Sequence, residues 1–265
     1  MKDDSYKKDS NSAEEIDKNR LEGRNPVLEA LRAGRDINKL WILQQENGKQ
    51  DNVLRQIIYL AKQKNVPVVE MRRQAMDQMS KTHGHQGVIA DAASHDYIEL
   101  EDLLSNIEKN GQNPFLIMLD GLKDAYNLGS ILRIADAAGA DGIIIPKHRS
   151  VGLDALAAKA SAGAIEYVPV VRVTNLSQTI VTLKERGFWV AGTDSSGDVD
   201  YKTADYCGSL LIVIGSEGEG MSRIVKSNCD FLLSIPMFGH VNSLNAAVAA
   251  GIVIFEAQSQ RSRGK

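Results

Sequence analysis

Two cysteines in 265 residues, Cys207 and Cys229, are too few and too unpatterned for a disulfide framework or a cysteine-ligated metal site. Both read as small buried apolar residues. No apolar run approaches the roughly 20 residues of a membrane-spanning helix, and the charged N-terminus lacks the apolar stretch of a secretory signal. A cytoplasmic protein without a membrane partner is expected. A strong charge of either sign is also missing: the formal net charge is -3, which alone neither indicates nor excludes a nucleic-acid partner. Nor is a metal site expected. His83 and His85 stand close together, but no further His, Cys or acidic cluster nearby completes a ligand set.

What is present fits a globular chain long enough for two domains, with 43% hydrophobic and 25% charged residues. Residues 1–20 hold only four apolar side chains and read as a disordered tail. Residues 21–94 form a small alternating α/β domain carrying 11 Lys and Arg against 8 Asp and Glu. A helix with Asn25 as N-cap and Pro26 in its first turn opens it, and Ile37–Leu43, Val66–Glu70 and Val88–Ala92 read as strands. The loop from Thr82 to Gly87 is either a plain turn or a contact for RNA. Residues 95–112, with 1 basic against 5 acidic residues, are a linker ending in a helix. From 113 to 265, apolar runs such as Phe115–Leu119 and Leu210–Ile214 alternate with helical segments. That pattern is expected of a parallel sheet covered on both faces.

In such a sheet ligands bind beyond the carboxyl ends of the strands, and three loops there are distinctive. After Leu119, Asn127 is placed to cap the next helix, Gly129 permits close approach of a phosphate or another backbone, and Arg133 follows. That arginine either binds a phosphate or hydroxyl or pairs with Asp136 or another acid on a solvated helix face. After Ile214, Gly215, Gly218 and Gly220 surround Glu217 in an order that is neither a Walker loop nor a dinucleotide fingerprint. An acid inside a glycine loop suits a ligand with hydroxyls or a positive centre. The third loop sets Ile235, Met237 and Leu244 as apolar walls beside Ser243 and Asn245, where the last helix starts. Such walls suit the flat face of an adenine, although the same residue types also build plain core.

Asn127-Leu-Gly-x-Ile-Leu-Arg133, Gly215-x-Glu217-Gly218-x-Gly220 and Ile235-Pro-Met237-x-Gly-x-x-x-Ser243-Leu-Asn245 together resemble the three motifs of the SpoU (TrmH-like) class of SPOUT RNA 2'-O-ribose methyltransferases. Glu22-Gly-Arg-Asn-Pro-Val-Leu-Glu-Ala-Leu31 and His85-Gln-Gly-Val88 resemble that family's small substrate-binding domain. The resemblance spans roughly residues 20 to 260, with Ala125-Tyr126 where the family often has a proline and Ala247 where it often has a second serine. It is closest to the RlmB-like group acting on 23S rRNA guanosines, with tRNA enzymes as the alternative. It implies an L30e-like first domain, a parallel-sheet α/β catalytic domain tied in a deep trefoil knot, a homodimer, and S-adenosylmethionine as cofactor without a metal. Carried over by position, Asn127, Arg133, Glu217, Ser243 and Asn245 become the catalytic candidates. Gly192, Thr193, Asp194, Gly215, Glu217, Gly218, Gly220, Ile235, Met237, Ser243 and Leu244 become the cofactor candidates. A non-catalytic RNA-binding homologue would share the fold, but the intact catalytic set counts against it. A dinucleotide oxidoreductase would share the alternation, but no early G-x-G-x-x-G supports one.

Overall fold

A computed structural model describes residues 19–44, 51–110, 113–241 and 243–263. Of the disordered tail expected over residues 1–20, residues 1–18 lie outside the described residues, and Arg20 is corrected to a strand residue paired with Asp91. The chain divides into two compact units. One runs to Asp96 and includes Gly152–Leu156; the other comprises Tyr97–Val151 and the chain from Ala157 onward. No helix of the described residues is long and apolar enough to cross a membrane.

In the first unit β1 (Arg20–Glu22), α1 (Arg24–Arg32), β2 (Ile37–Leu43), α2 (Asn52–Gln63), β3 (Val68–Met71), α3 (Arg73–Met79) and β4 (Val88–Ala92) follow one another. The sheet order is β1-β4-β2-β3. β4 pairs antiparallel with β1 and β2, while β2 and β3 are parallel. Helical spacing brings Val27, Leu28 and Leu31 of α1 and Leu54, Ile57 and Ala61 of α2 onto Leu40, Ile42, Val88 and Ala90. Full burial of each large side chain contributes roughly 1.5–3 kcal/mol.

Several expectations are corrected here. The residue before α1 is Gly23, with φ 96°, so Asn25 lies inside the helix rather than at its cap. α2 is capped instead by Asp51, whose Oδ1 accepts from the Val53 N–H at 2.9 Å. His85 is buried, with Nδ1 accepting from the Gly87 N–H at 3.0 Å, which leaves Nε2 to donate to Asp77 Oδ1 at 2.8 Å.

The second unit contains α4 (Leu100–Asn110), β5 (Phe115–Asp120), α5 (Ala125–Ala138), β6 (Gly142–Pro146), β7 (Val170–Val173), α7 (Leu176–Glu185), β8 (Trp189–Thr193), β9 (Val199–Asp200), β10 (Leu210–Gly215), α8 (Arg223–Asn228), β11 (Phe231–Ser234) and α9 (Ala246–Arg263). α6 (Ala155–Ala160) begins in the segment that clusters with the first unit. The seven strands run β7-β6-β5-β10-β8-β11-β9, and every pairing is parallel. Alternation explains the continuous apolar runs. Leu116 and Met118 meet a cluster with α4, α7 and α8 side chains, while α5 and α9 pack together against the sheet's other residues. Because β10 lies between β5 and β8, the strand order reverses there, which opens a crevice at the carboxyl ends.

Three further differences from the sequence reading stand out. α5 starts at Ala125, capped by Asp124, so Asn127 is a buried helical residue and not a cap. The last helix begins at Ala246 rather than Ser243. Cys207 is exposed on a turn beside Asp205, contrary to the buried site expected for it. Cys229 is half-buried, and burial pushes its thiol up to about 12.

Candidate active site

β10 delivers Gly215 to the carboxyl edge of the sheet, and the chain turns back at once. Ser216 and Gly220 each donate a backbone N–H to the other's carbonyl at 3.0 Å. The turn closes so tightly that a Cβ on Gly215 would lie 2.4 Å from both Gly220 C and Met221 N. Only glycine fits there, because neither obstructing atom belongs to a side chain that could move aside. On the neighbouring strand, the Ser222 N–H donates to Asp120 Oδ2 at 2.7 Å, which ties the end of this loop to the end of β5.

The turn carries Glu217 to the starts of two helices. Its Oε1 accepts from Asn127 Nδ2 at 3.0 Å, Asn245 Nδ2 at 2.5 Å and the Ala246 N–H at 3.2 Å. Asn245 Nδ2 also donates to Asn127 Oδ1 at 3.0 Å. Asn245 caps α9, its Oδ1 accepting from the Ala247 and Val248 N–H groups at 2.9 and 3.2 Å. A carboxylate at a helix N-terminus is favoured by the helix dipole, and one oxygen shared by three donors makes a rigid junction. Asn127, 6% exposed, has its amide oxygen and nitrogen both engaged in this junction, as a buried amide requires.

Beside the junction lies a cavity of about 360 Å³, formed by the ends of β8, β10 and β11 and the start of α9. Ile214, Leu233, Ile235, Met237, Leu244 and Ala249 supply its apolar walls. Thr193, Asp194, Ser195, Ser216, Glu217, Glu219 and Ser243 supply its polar groups. At one rim, Asp194 Oδ2 pairs with Lys226 at 2.8 Å, and its Oδ1 accepts from the Ser196 N–H and hydroxyl at 2.9 and 2.6 Å. Burial raises this carboxyl, but the hydrogen bonds from Lys226 and Ser196 outweigh it and hold the group below the usual carboxylate range. Asp194 is therefore already paired and is not a general base in waiting.

Among the residues expected from sequence, Thr193, Asp194, Gly215, Glu217, Gly218, Gly220, Ile235, Met237, Ser243 and Leu244 line the cavity. Asn127 and Asn245 reach it through Glu217. Gly192 sits beneath, against Cys229 and Met221. Gly129 meets another helix rather than a ligand: a Cβ there would lie 2.4 Å from Ala160 Cβ and 2.5 Å from Ala157 O. Arg133 stands apart, exposed on α5 and without an ion pair or side-chain hydrogen bond among the described residues. The expected alternative, pairing with Asp136, is thus absent. Sequence reading placed Ser216 and Glu219 within the 215–220 loop without singling them out, and missed Ser195, Ala249 and Lys226. Ala249 alone had a signal, since it lies one helical turn after Asn245. Among the described residues no group of three or more His, Cys, Asp or Glu could hold a metal ion.

The family model described as the SpoU rRNA Methylase family matches residues 114–255, and that described as RNA 2'-O ribose methyltransferase substrate binding matches residues 20–98. YacO of Bacillus subtilis (strain 168), named for the TrmH family of tRNA/rRNA methyltransferases, is 49% identical over 240 residues, 91% of this chain and 95% of its own. An AdoMet-bound rRNA methyltransferase from Sinorhizobium meliloti is similar in structure, with a TM-score of 0.56 and 26% identity over 91% of this chain and 86% of its own. The A. aeolicus TrmH/SpoU tRNA modifying enzyme has a TM-score of 0.53 and 26% identity, over 62% of this chain and 86% of its own.

Proposed function

This chain belongs to the SpoU rRNA methylase family, and from that premise we propose that it methylates the 2'-hydroxyl of a guanosine ribose in 23S rRNA, with S-adenosylmethionine as donor. The observation that carries the reading is the Asn127–Glu217–Asn245 junction at the edge of the cavity. Its volume of about 360 Å³ falls within the roughly 300–1,000 Å³ of small-molecule sites. Ile214, Ile235, Met237 and Leu244 suit the faces of an adenine, while Thr193, Asp194 and the backbone of the 215–220 turn suit hydroxyls and a charged tail. When bound, the cofactor would supply an electrophilic methyl on a sulfonium. The ribose oxygen forms the new O–C bond, the S–C bond breaks with its electrons left on sulfur, and the hydroxyl proton passes to the adjacent phosphate.

Arg133 is a poor proton acceptor. A guanidinium carries donors only and has no acceptor to offer. It instead orients the hydroxyl and an adjacent phosphate through its planar fork. Asn127, Glu217 and Asn245 position the two loops, and Ser243 stands where it can contact either ligand. Arg133 lies six residues along α5 from Asn127, about 9 Å of helix, and does not line the cavity. It therefore serves the site of a second subunit in a homodimer. Exposed Tyr126, Val248 and Phe255 on α5 and α9 support a partner on this face. The insertion of β10 between β5 and β8, with α9 against α5, supports the knotted path, and the β1-β4-β2-β3 sheet with its helices supports an L30e-like first unit.

The rRNA target draws support from coverage. The rRNA methyltransferase is similar over 91% of this chain, whereas the tRNA modifying enzyme reaches 62%. The test is to incubate the purified protein with labelled S-adenosylmethionine and unmodified 23S rRNA or tRNA, then map the methyl group. Label on a 23S guanosine ribose is expected. Label confined to tRNA overturns the target, and no 2'-O-methyl on either overturns the reading. Arg133→Lys should lose most turnover, and near-normal activity would remove the role given to the planar fork.

A further inference from the structure

The loop after β6 is not used by the cofactor cavity, yet it lies on the same edge of the sheet. β6 neighbours β5, which neighbours β10, and all three run parallel. The loop is fastened at both ends. Its Lys147 N–H donates to Val173 O at 2.8 Å, and the Val151 N–H and Ser150 hydroxyl both donate to Leu122 O, at 2.8 and 3.0 Å. Leu122 precedes Lys123, whose ammonium pairs with Glu219 of the cavity turn at 3.5 Å. The loop after β6 is thus linked to the wall of the site through the Leu122–Lys123 segment.

Between these fastenings stand Lys147, His148 and Arg149. Arg149 holds φ 59°, the left-handed region that L side chains other than Asn and Asp seldom enter. Residues kept there by surrounding contacts recur at ligand clamps. All three side chains, like that of Arg133, are also uncommitted to an ion pair among the described residues. In the same unit Lys123, Lys184, Arg186 and Lys226 each hold a carboxylate. The side chains of Lys147, His148 and Arg149 have no such partner among the described residues, although this portion of the chain carries slightly more acid than base. A pinned loop that presents three unpaired nitrogen donors fits an anion with several acceptor oxygens.

We propose that Lys147, His148 and Arg149 form a clamp for the RNA backbone, gripping phosphates beside the nucleotide to be methylated. This rests on the methyltransferase reading above. The clamp carries no base readout. It sets the register of the strand, as phosphate contacts do, and its contribution is salt-dependent.

Arg149→Gly is the informative substitution, because glycine accepts the positive φ while the guanidinium is lost. Arg149→Asn, also tolerant of that backbone, is the second variant should the first fold poorly. Each is combined with Lys147→Gln. RNA binding is measured against salt with unmodified 23S rRNA and tRNA transcripts, alongside S-adenosylmethionine titration by calorimetry. The double variant should bind RNA roughly three- to tenfold more weakly, and its salt slope should fall by about one for each cation removed. Cofactor affinity should not change. Wild-type RNA affinity and slope in the double variant would overturn the clamp, as would loss of binding only to an acidic protein. If the clamp variants lose RNA but the wild type places no 2'-O-methyl, the methyltransferase reading falls, and the clamp stands only as a phosphate contact with no methylated nucleotide beside it. If the wild type methylates and the variants bind RNA as it does, the clamp alone falls.

Discussion

Glu22 and Glu217 sit in different units and do opposite things with the same carboxylate. Glu22 spends both oxygens on one turn. Oε1 accepts from the Lys81 N–H at 2.8 Å, and Oε2 accepts from the Ser80 hydroxyl at 2.7 Å, the Thr82 N–H at 3.0 Å and the Thr82 hydroxyl. Burial raises its pKa, but the bonds from Thr82, Lys81 and Ser80 outweigh that and hold it at about 2. Glu217 gathers Asn127, Asn245 and Ala246 on Oε1 alone, and Oε2 has no hydrogen-bond partner among the described residues. A saturated carboxylate staples a loop, whereas a half-used one beside a cavity leaves an acceptor for a ligand.

The largest expected effect comes from removing the charge at the half-used carboxylate. Glu217→Gln should lower kcat/KM for methyl transfer by about 100-fold, the loss typical when a positioning group shifts its neighbours by an ångström, with little change in melting temperature. Turnover within about threefold of wild type would erase the distinction drawn between the two acids. Next, Gly215→Ala presses a methyl into backbone at 2.4 Å. Overpacking of that kind costs about 1–3 kcal/mol. Calorimetry with S-adenosylmethionine should show binding weakened by about tenfold or more, and unaltered affinity would mean that the turn does not shape the cavity.

Glu22→Ala should act on stability rather than on the cofactor, removing about 1 kcal/mol from the first unit. It deletes the bonds that fasten the Ser80–Thr82 turn, of which Ser80 alone is buried. Because its folded pKa lies below the ordinary 4.5, the contribution is complete above pH 4.5 and is lost as the pH falls toward about 2. Thermal melts of wild type and variant should therefore converge in acid, and a gap that persists at pH 2 would assign the effect to packing. The smallest effect is expected at Asp91, whose pKa is raised to about 6, first by burial and then by repulsion from Asp154. A raised carboxyl favours the folded state below its unfolded pKa and loses that benefit as the pH climbs through 6. Asp91→Asn should thus be about 1 kcal/mol more stable than wild type at pH 8 and indistinguishable from it near pH 3.5.

The strands buried on both faces were readable because each of their residues obeys the same rule. Phe115–Leu119 and Leu210–Ile214 have no polar alternative. β1 and β9 were not readable. Arg20–Glu22 and Val199–Asp200 carry too little pattern, and pairing with β4 and β11 makes them strands. Asn127 looked like a cap because asparagine favours that position, but Asp124 sits three residues earlier and takes it. The motifs marked Glu217 and Asn245 as neighbours in function. That they share a single oxygen with Asn127 follows from the strand order, which no local pattern encodes. Arg133 shows the same limit: its motif announces a role, but only the fold places it away from its own cavity.

The hydrogen bond between Asn127 and Asn245 spans 118 positions of chain. During synthesis, therefore, the loop after β5 and the turn after β10 both emerge before the residue that joins them. Until Asn245 arrives and α9 winds from it, Glu217 has only part of its clasp, and the pocket wall formed by Ser243, Leu244 and Ala249 does not exist. Such a distant closure is slow to form. A ligand that seats in this cavity therefore stabilises only chains that have made their last long-range connection.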